Sequence, residues 1–108
     1  MNQNKLDEIR KKYQASLQTK ADELEQSWRS AESSFFSETS VAELRKRVHN
    51  LGGSAGMYGY DSVAAGAKNV ESQLSGGPED SAGWRKQVKN DVQQLVDLLR
   101  DEAAAVSG

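Results

Sequence analysis

The chain has 108 residues, with 14 lysines and arginines against 16 aspartates and glutamates, and so a formal charge of −2. It has no cysteine and a single histidine, which excludes disulfide scaffolds, thiolate metal sites, cysteine nucleophiles and any two-histidine zinc site. Its length fits one domain over residues 1–108, large enough to bury a core of its own. Hydrophobic residues make up 36% of the chain and charged residues 28%, with a mean hydropathy of −0.76, a balance that suits a thin amphipathic helical bundle better than a sheet. The opening MNQNKLDEIRKK is charged and lacks an apolar run, so no signal peptide or membrane anchor is read and a cytoplasmic location is expected. The slight excess of acid gives no reason to expect nucleic acid or an anionic membrane as a partner.

The first predicted helix covers about residues 4–31. Leu6, Ile9, Tyr13, Leu17, Leu24, Trp28 and Ala31 recur by threes and fours, interrupted at Lys20 and Ala21, and Asn4 with Asp7 reads as an N-terminal cap. The weak helix formers from Ser16 to Thr19 mark where this helix can bend. Residues 33–39, with four hydroxyl-bearing residues around Phe35 and Phe36, read as a loop whose two aromatics fold back onto the end of the bundle.

Ser40-Val41-Ala42-Glu43 matches a capping box and predicts a second helix over about 41–58. Its stripe is Val41, Leu44, Val48, Leu51, Ala55 and Tyr58, with Gly59 in the left-handed position that ends it. Asp61 or Ser62 is the expected cap of a third helix, 61–75, with Tyr60, Val63, Ala67, Val70 and Leu74 as its stripe. Ser75-Gly76-Gly77-Pro78 is the clearest break in the chain, and Pro78 suits a first helical turn. Trp84, Val88, Val92, Leu95, Leu99, Glu102 and Val106 mark a fourth helix over about 79–105. Four stripes joined by short connections predict an all-α, antiparallel up-down four-helix bundle.

The segment LRKRVHNLGGSAGMYGY, Leu44 to Tyr60, departs from these rules. With a helical rotation of about 100° per residue, His49 lies roughly 130° from the core direction, facing water. Arg45 and Lys46 precede it by one turn, and Gly52, Gly53 and Gly56 follow it. Three glycines within a helix cost about 3 kcal/mol relative to alanine. They either end the helix or strip one face of side chains, and the stripe continuing through Ala55 and Tyr58 favours the second. A bare face beside an exposed imidazole admits another macromolecule.

Three cations and no acid lie between Leu44 and Tyr60. A phosphoryl group on the imidazole would find charge-assisted partners there. Imidazoles in general are half neutral near pH ~6.5, so a nitrogen lone pair is available as a nucleophile. A hydrolase built on Ser54 and His49 fails on geometry, because five residues apart on one helix they point roughly 140° apart.

His49-Asn50-Leu51-Gly52-Gly53-Ser54-Ala55-Gly56, followed by Tyr58-Gly59, resembles the signature of histidine-containing phosphotransfer (HPt) domains of bacterial two-component phosphorelays. The resemblance is specific from about Leu44 to Glu71 and extends in architecture over the whole chain. It implies a phosphocarrier with no catalytic machinery of its own. His49 would accept a phosphoryl group from a receiver-domain aspartate, and Gly53 would be the small residue that leaves the histidine open. The receiver of a response regulator or hybrid kinase would supply the acidic pocket and the Mg²⁺. The chain departs from the family where many members carry a lysine three residues after the histidine. Gly52 stands there, and Arg45 or Lys68 is the candidate replacement, with Lys46 as a further phosphate or partner contact. Met57, Phe35 and Phe36 are candidate apolar contacts, although core packing is the commoner role for Phe35, Phe36, Trp28 and Trp84. A monomer is expected. The alternative is an unphosphorylated helical module that binds or inhibits a receiver or kinase.

Overall fold

A computed structural model describes residues 3–76 and 82–105. The Asn4 side chain, Pro78 and Val106, each given a part in a predicted helix, lie outside what is described. Four helices account for nearly all of the described chain: α1 (Gln3–Ser33), α2 (Glu38–Met57), α3 (Asp61–Ser75) and α4 (Ala82–Ala104). Each packs on two neighbours in the ring order α1, α2, α3, α4, with no diagonal contact among the described residues. Cross-helix pairs give the directions. Tyr13 meets Ser54 and Arg47 meets Glu23 across α1–α2, whereas Gly52 abuts Ala67 and His49 meets Glu71 across α2–α3. Across α3–α4 Gly66 abuts Leu95 and Asn69 meets Asp91, and across α1–α4 Arg100 meets Asp22 and Lys89 meets Glu32. In every pair one number rises as the other falls, the mark of an antiparallel up-down bundle.

The core is drawn from the stripes read from the sequence, with Ala21 and Val96 added and Leu6 left exposed. Leu17, Leu24, Leu44, Val48, Ala55, Val70, Val88 and Leu99 are fully buried, and so is Ala21. The supposed interruption at Lys20 and Ala21 is therefore a turn in which a methyl group fills the seam. α1 runs unbroken through Ser16–Thr19. At about 1.5 Å per residue its 31 residues span about 47 Å, which accounts for the 51 Å long axis of a body only 22 Å by 19 Å across. The Gln14 side chain donates to the carbonyls of Glu102 and Ala105, capping the end of α4. The first turns of α1 therefore extend past its partner, and Leu6 is exposed there.

The α1–α2 connection differs from expectation in two ways. Phe35 and Phe36 both adopt left-handed backbone conformations, φ 53° and 58°. Adjacent side chains on a helical backbone diverge by about 100°, so only one of them can turn inward. Phe36 does so, packing on Trp28 and edge-on to Trp84 at centroid distances of 5.6 and 5.7 Å, while Phe35 is 89% exposed. The cap of α2 is Ser37, not Ser40: its hydroxyl accepts from the Ser40 amide, and Glu38 occupies the first turn. Ser40 lies one turn inside, where its hydroxyl accepts a hydrogen bond from Ser34 Oγ, so the expected box with Glu43 does not form.

α2 continues through Gly52, Gly53 and Gly56 and stops where Gly59 takes φ 83°. The Gly59 amide then donates to the Gly56 carbonyl and the Tyr60 amide to the Ala55 carbonyl, a Schellman stop. That turn leads directly into α3, so Tyr60 occupies the cap position and Asp61 is already helical. Neither Asp61 nor Ser62 caps, and Tyr60 makes no side-chain cap bond. Tyr13 seals this end, stacked on Tyr58 at 4.2 Å and hydrogen-bonded through its hydroxyl to Ser54 at 2.8 Å.

Two stability tests follow from these contacts. A Cβ on Gly53 would meet nothing within 4 Å, whereas one on Gly66 would lie 3.2 Å from Leu95 Cδ1 in the packed core. Gly53→Ala raises the unfolding free energy by up to about 1 kcal/mol. Gly66→Ala loses that gain to overpacking of about 1–3 kcal/mol, and urea denaturation ranks the two variants in that order. Burial pushes the Tyr13 hydroxyl above its ordinary pKa, partly offset by the Ser54 hydrogen bond and reinforced by Tyr60 and Tyr58. The unfolded chain releases this proton at lower pH than the folded one, so stability falls as pH rises above about 10. Tyr13→Phe costs about 0.5–1.5 kcal/mol at neutral pH through the lost hydrogen bond, and its urea midpoint declines less steeply in the alkaline range.

Candidate functional site

Val48 and Leu51, buried against the core, fix the rotation of α2 and leave His49 between them on the outer side, with 68% of its side chain exposed. The ring is not free to turn. Its Nδ1 lies 2.7 Å from Glu71 Oε2 on α3. A carboxylate can only accept, so the hydrogen lies on Nδ1, and in the neutral ring Nε2 keeps its lone pair. Glu71 has 29% of its side chain exposed, so the pair is bordered by α3 on one edge and open on the other.

The three glycines divide the work. Gly52 was expected to give access to the histidine; instead it faces α3, where an added Cβ would come to 3.4 Å from Ala67 Cβ. One turn further along α3, Glu71 reaches the imidazole. A Cβ on Gly56 would lie 3.9 Å from Ala64 Cβ, on the same seam. Gly53 alone is open, with nothing within 4 Å. Met57, two turns beyond His49, is 81% exposed.

The nearest ionic partner of His49 is thus an acid, although the local sequence around it has none. Glu71 is 22 positions away and was not singled out in the sequence. A signal for it exists: Gly52 and Gly56 on one helix and Ala67 and Ala64 on the next are matched small residues, and counting antiparallel from those contacts places residue 71 opposite residue 49. Among the cations, Arg47 turns away to pair with Glu23 on α1. Arg45, Lys46 and Lys68 are exposed and make no ion pair among the described residues. Arg45 precedes His49 by one turn. Lys68 shares the stripe of Ala64 and Glu71 on α3.

On the other edge of His49, α1 and α2 part to leave an open groove of about 490 Å³. Leu24 and Leu51 lie at its base, with Lys20, Glu23, Lys46, Arg47 and Asn50 among its walls. Ser54 also borders it, but its hydroxyl is engaged with Tyr13 and the Leu51 carbonyl, on the opposite edge of α2 from Glu71. Among the described residues no Ser–His–acid chain is assembled.

An exposed imidazole with one nitrogen tied to a carboxylate, on a rigid helix beside a stripped surface, can present a nucleophile to another macromolecule. No curated protein and no solved structure gives a match to the chain. A family model, the Hpt domain, matches residues 8–107, essentially the whole chain. With a four-helix bundle and an exposed histidine on its second helix, the protein belongs to the Hpt domain family, whose members serve histidine phosphotransfer in two-component signalling through receiver domains.

Proposed function

We propose that residues 1–108 act as one phosphotransfer domain, in which His49 takes a phosphoryl group from the phospho-aspartate of one receiver and passes it to the aspartate of another. The observation that carries this reading is the 2.7 Å bond from His49 Nδ1 to Glu71, which leaves Nε2 as the free, outward nitrogen. In the forward step the Nε2 lone pair attacks phosphorus. The P–Nε2 bond forms, the bond from phosphorus to the aspartyl oxygen breaks, and the aspartate leaves as a carboxylate. No proton is released: the hydrogen stays on Nδ1, and the positive charge that develops on the ring is offset by Glu71. Transfer onward is the reverse of these events with a second receiver.

Phosphoryl transfer depends on positioning and charge neutralisation. In this reading the bundle supplies a held nucleophile, the receiver supplies the acidic pocket and the Mg²⁺, and the chain brings no cofactor of its own. Arg45, Lys46 and Lys68 are the cations available to the phosphoryl group or to the partner's acids. The protein acts as a carrier rather than an enzyme, as a monomer in the cytoplasm. No helix among the described residues is long and apolar enough to cross a membrane.

The test is incubation with a panel of phosphorylated receiver domains and Mg²⁺. An acid-labile, base-stable phosphate should appear on His49 and be lost in His49→Gln, with receiver binding retained. If no receiver phosphorylates the wild type while binding persists, the protein is the unphosphorylated module instead. Glu71→Ala should slow transfer by about tenfold, equivalent to about 1.4 kcal/mol in the barrier. Glu71→Gln, whose amide oxygen still accepts from Nδ1–H, should recover most of that loss. Nitrogen NMR shifts should report the Nδ1–H tautomer in the wild type and its loss in Glu71→Ala, a change that a merely structural role for Glu71 would not produce.

A further inference from the structure

The Asp91 carboxylate on α4 accepts from three side-chain amides. Asn69 and Gln73 reach its Oδ2 from α3, at 3.1 and 2.6 Å. Gln87, one turn earlier on α4, donates to both oxygens at 3.2 and 3.1 Å and holds the carboxylate from its own helix. Asp91 and Gln73 are half-buried, so the bond between them is partly shielded from water. The phosphotransfer step makes no direct use of this cluster, yet Asn69 and Gln73 bracket Glu71 in sequence. At about 100° per residue, Glu71 lies about 180° from the midpoint of the two. α3 is therefore held at one level from both edges: Asp91 grips the α4 edge, and the bond from Glu71 to His49 spans the α2 edge. On the α2 edge the facing residues are small, Gly52 against Ala67 and Gly56 against Ala64, and small side chains interlock little across a helix contact.

Resting on the phosphotransfer reading of His49, we infer that Asp91 is a positioning residue for the transfer: it fixes the rotation of α3, and through α3 the reach of Glu71 to Nδ1. Leverage makes the effect large enough to matter. Side-chain ends lie about 5–6 Å from a helix axis, so a turn of about 10° moves them by about 1 Å. Lengthened by that much, the 2.7 Å bond from His49 to Glu71 is no longer a hydrogen bond. The buried stripe of Val63, Ala67, Val70 and Leu74 sets which face of α3 points inward, and Asp91 removes the remaining play. It acts at a distance from the imidazole, through two amides on the far side of the helix that carries Glu71.

The experiment measures kcat/KM for transfer from a phosphorylated receiver to full-length variants, together with the imidazole nitrogen shifts of each. Asp91→Ala lowers kcat/KM by about fivefold, and in a Glu71→Ala background it lowers it no further, because the two changes remove one interaction. The Nδ1–H tautomer is lost in Asp91→Ala as in Glu71→Ala. Gln73→Glu, which sets one carboxylate against another, has the same two effects. Adding Asp91→Asn to it exchanges donor and acceptor and restores kcat/KM to within about twofold of wild type. Arg100→Ala, which removes the ion pairs of α4 with Asp22 and Glu25 on α1, weakens the bundle but leaves the tautomer unchanged. A wild-type tautomer in Asp91→Ala, or an equal fall in kcat/KM with and without Glu71, overturns the positioning role and leaves phosphotransfer through His49 intact. If Asp91→Ala does not fold, the exchange decides: failure of Asp91→Asn to rescue Gln73→Glu overturns the inference. If no receiver phosphorylates the wild type, the phosphotransfer reading falls, and the nitrogen shifts still decide whether Asp91 positions Glu71.

Discussion

The orientation of the histidine depends on how α2 and α3 pack against each other. Helices carrying ordinary side chains at their contact lie about 8–10 Å apart, too far for a short acidic side chain on one always to reach an imidazole on the other. Gly52 faces Ala67 and Gly56 faces Ala64, so both sides of this seam are small. Glu71 then meets His49 at 2.7 Å.

The stability of the bundle is generated elsewhere. Val48 and Leu51 anchor α2 from its inner side, and the stripes of α1 and α4 bury Leu17, Ala21, Leu24, Val88, Leu95 and Leu99. At one end of the bundle, Phe36 wedges between Trp28 and Trp84, which offsets left-handed backbone strain of about 1–3 kcal/mol per residue at Phe35 and Phe36. At the other, the Tyr13–Tyr58 stack and the Schellman turn at Gly59 tie α1 to the α2–α3 connection. His49 sits between these two supports on an uninterrupted helix. A site on a packed helix is held more precisely than one on a loop, and that suits a carrier whose contribution to phosphoryl transfer is position.

Much of this was readable from residue order. The three-four spacing of Val41, Leu44, Val48, Leu51 and Ala55 located the core face of α2 and so the outward direction of His49, because periodicity in a helix is a local property. The Gly59 stop was legible for the same reason: only a residue tolerant of positive φ fits there. The capping residues were not. Ser37, Ser40, Asp61 and Ser62 are all chemically able to cap, and which one does depends on where the preceding turn delivers the chain. Phe35 and Phe36 are likewise indistinguishable in sequence, and the choice between them was made by the left-handed turn that points one of them at Trp28 and Trp84.

The sequence by itself determined the four helices, their buried faces, the lone histidine on an outer face and the glycines beside it, since each follows from spacing along one helix and from the chemistry of single residues. Tertiary structure alone decided what those glycines are for and which charge the histidine feels. Gly52 and Gly53 are adjacent and identical in composition, yet one meets α3 and the other meets solvent. The stretch around His49 contains no acid, yet its partner is Glu71, 22 residues away. Both outcomes depend on the register and separation of two antiparallel helices, a through-space relation set by packing small residues against each other.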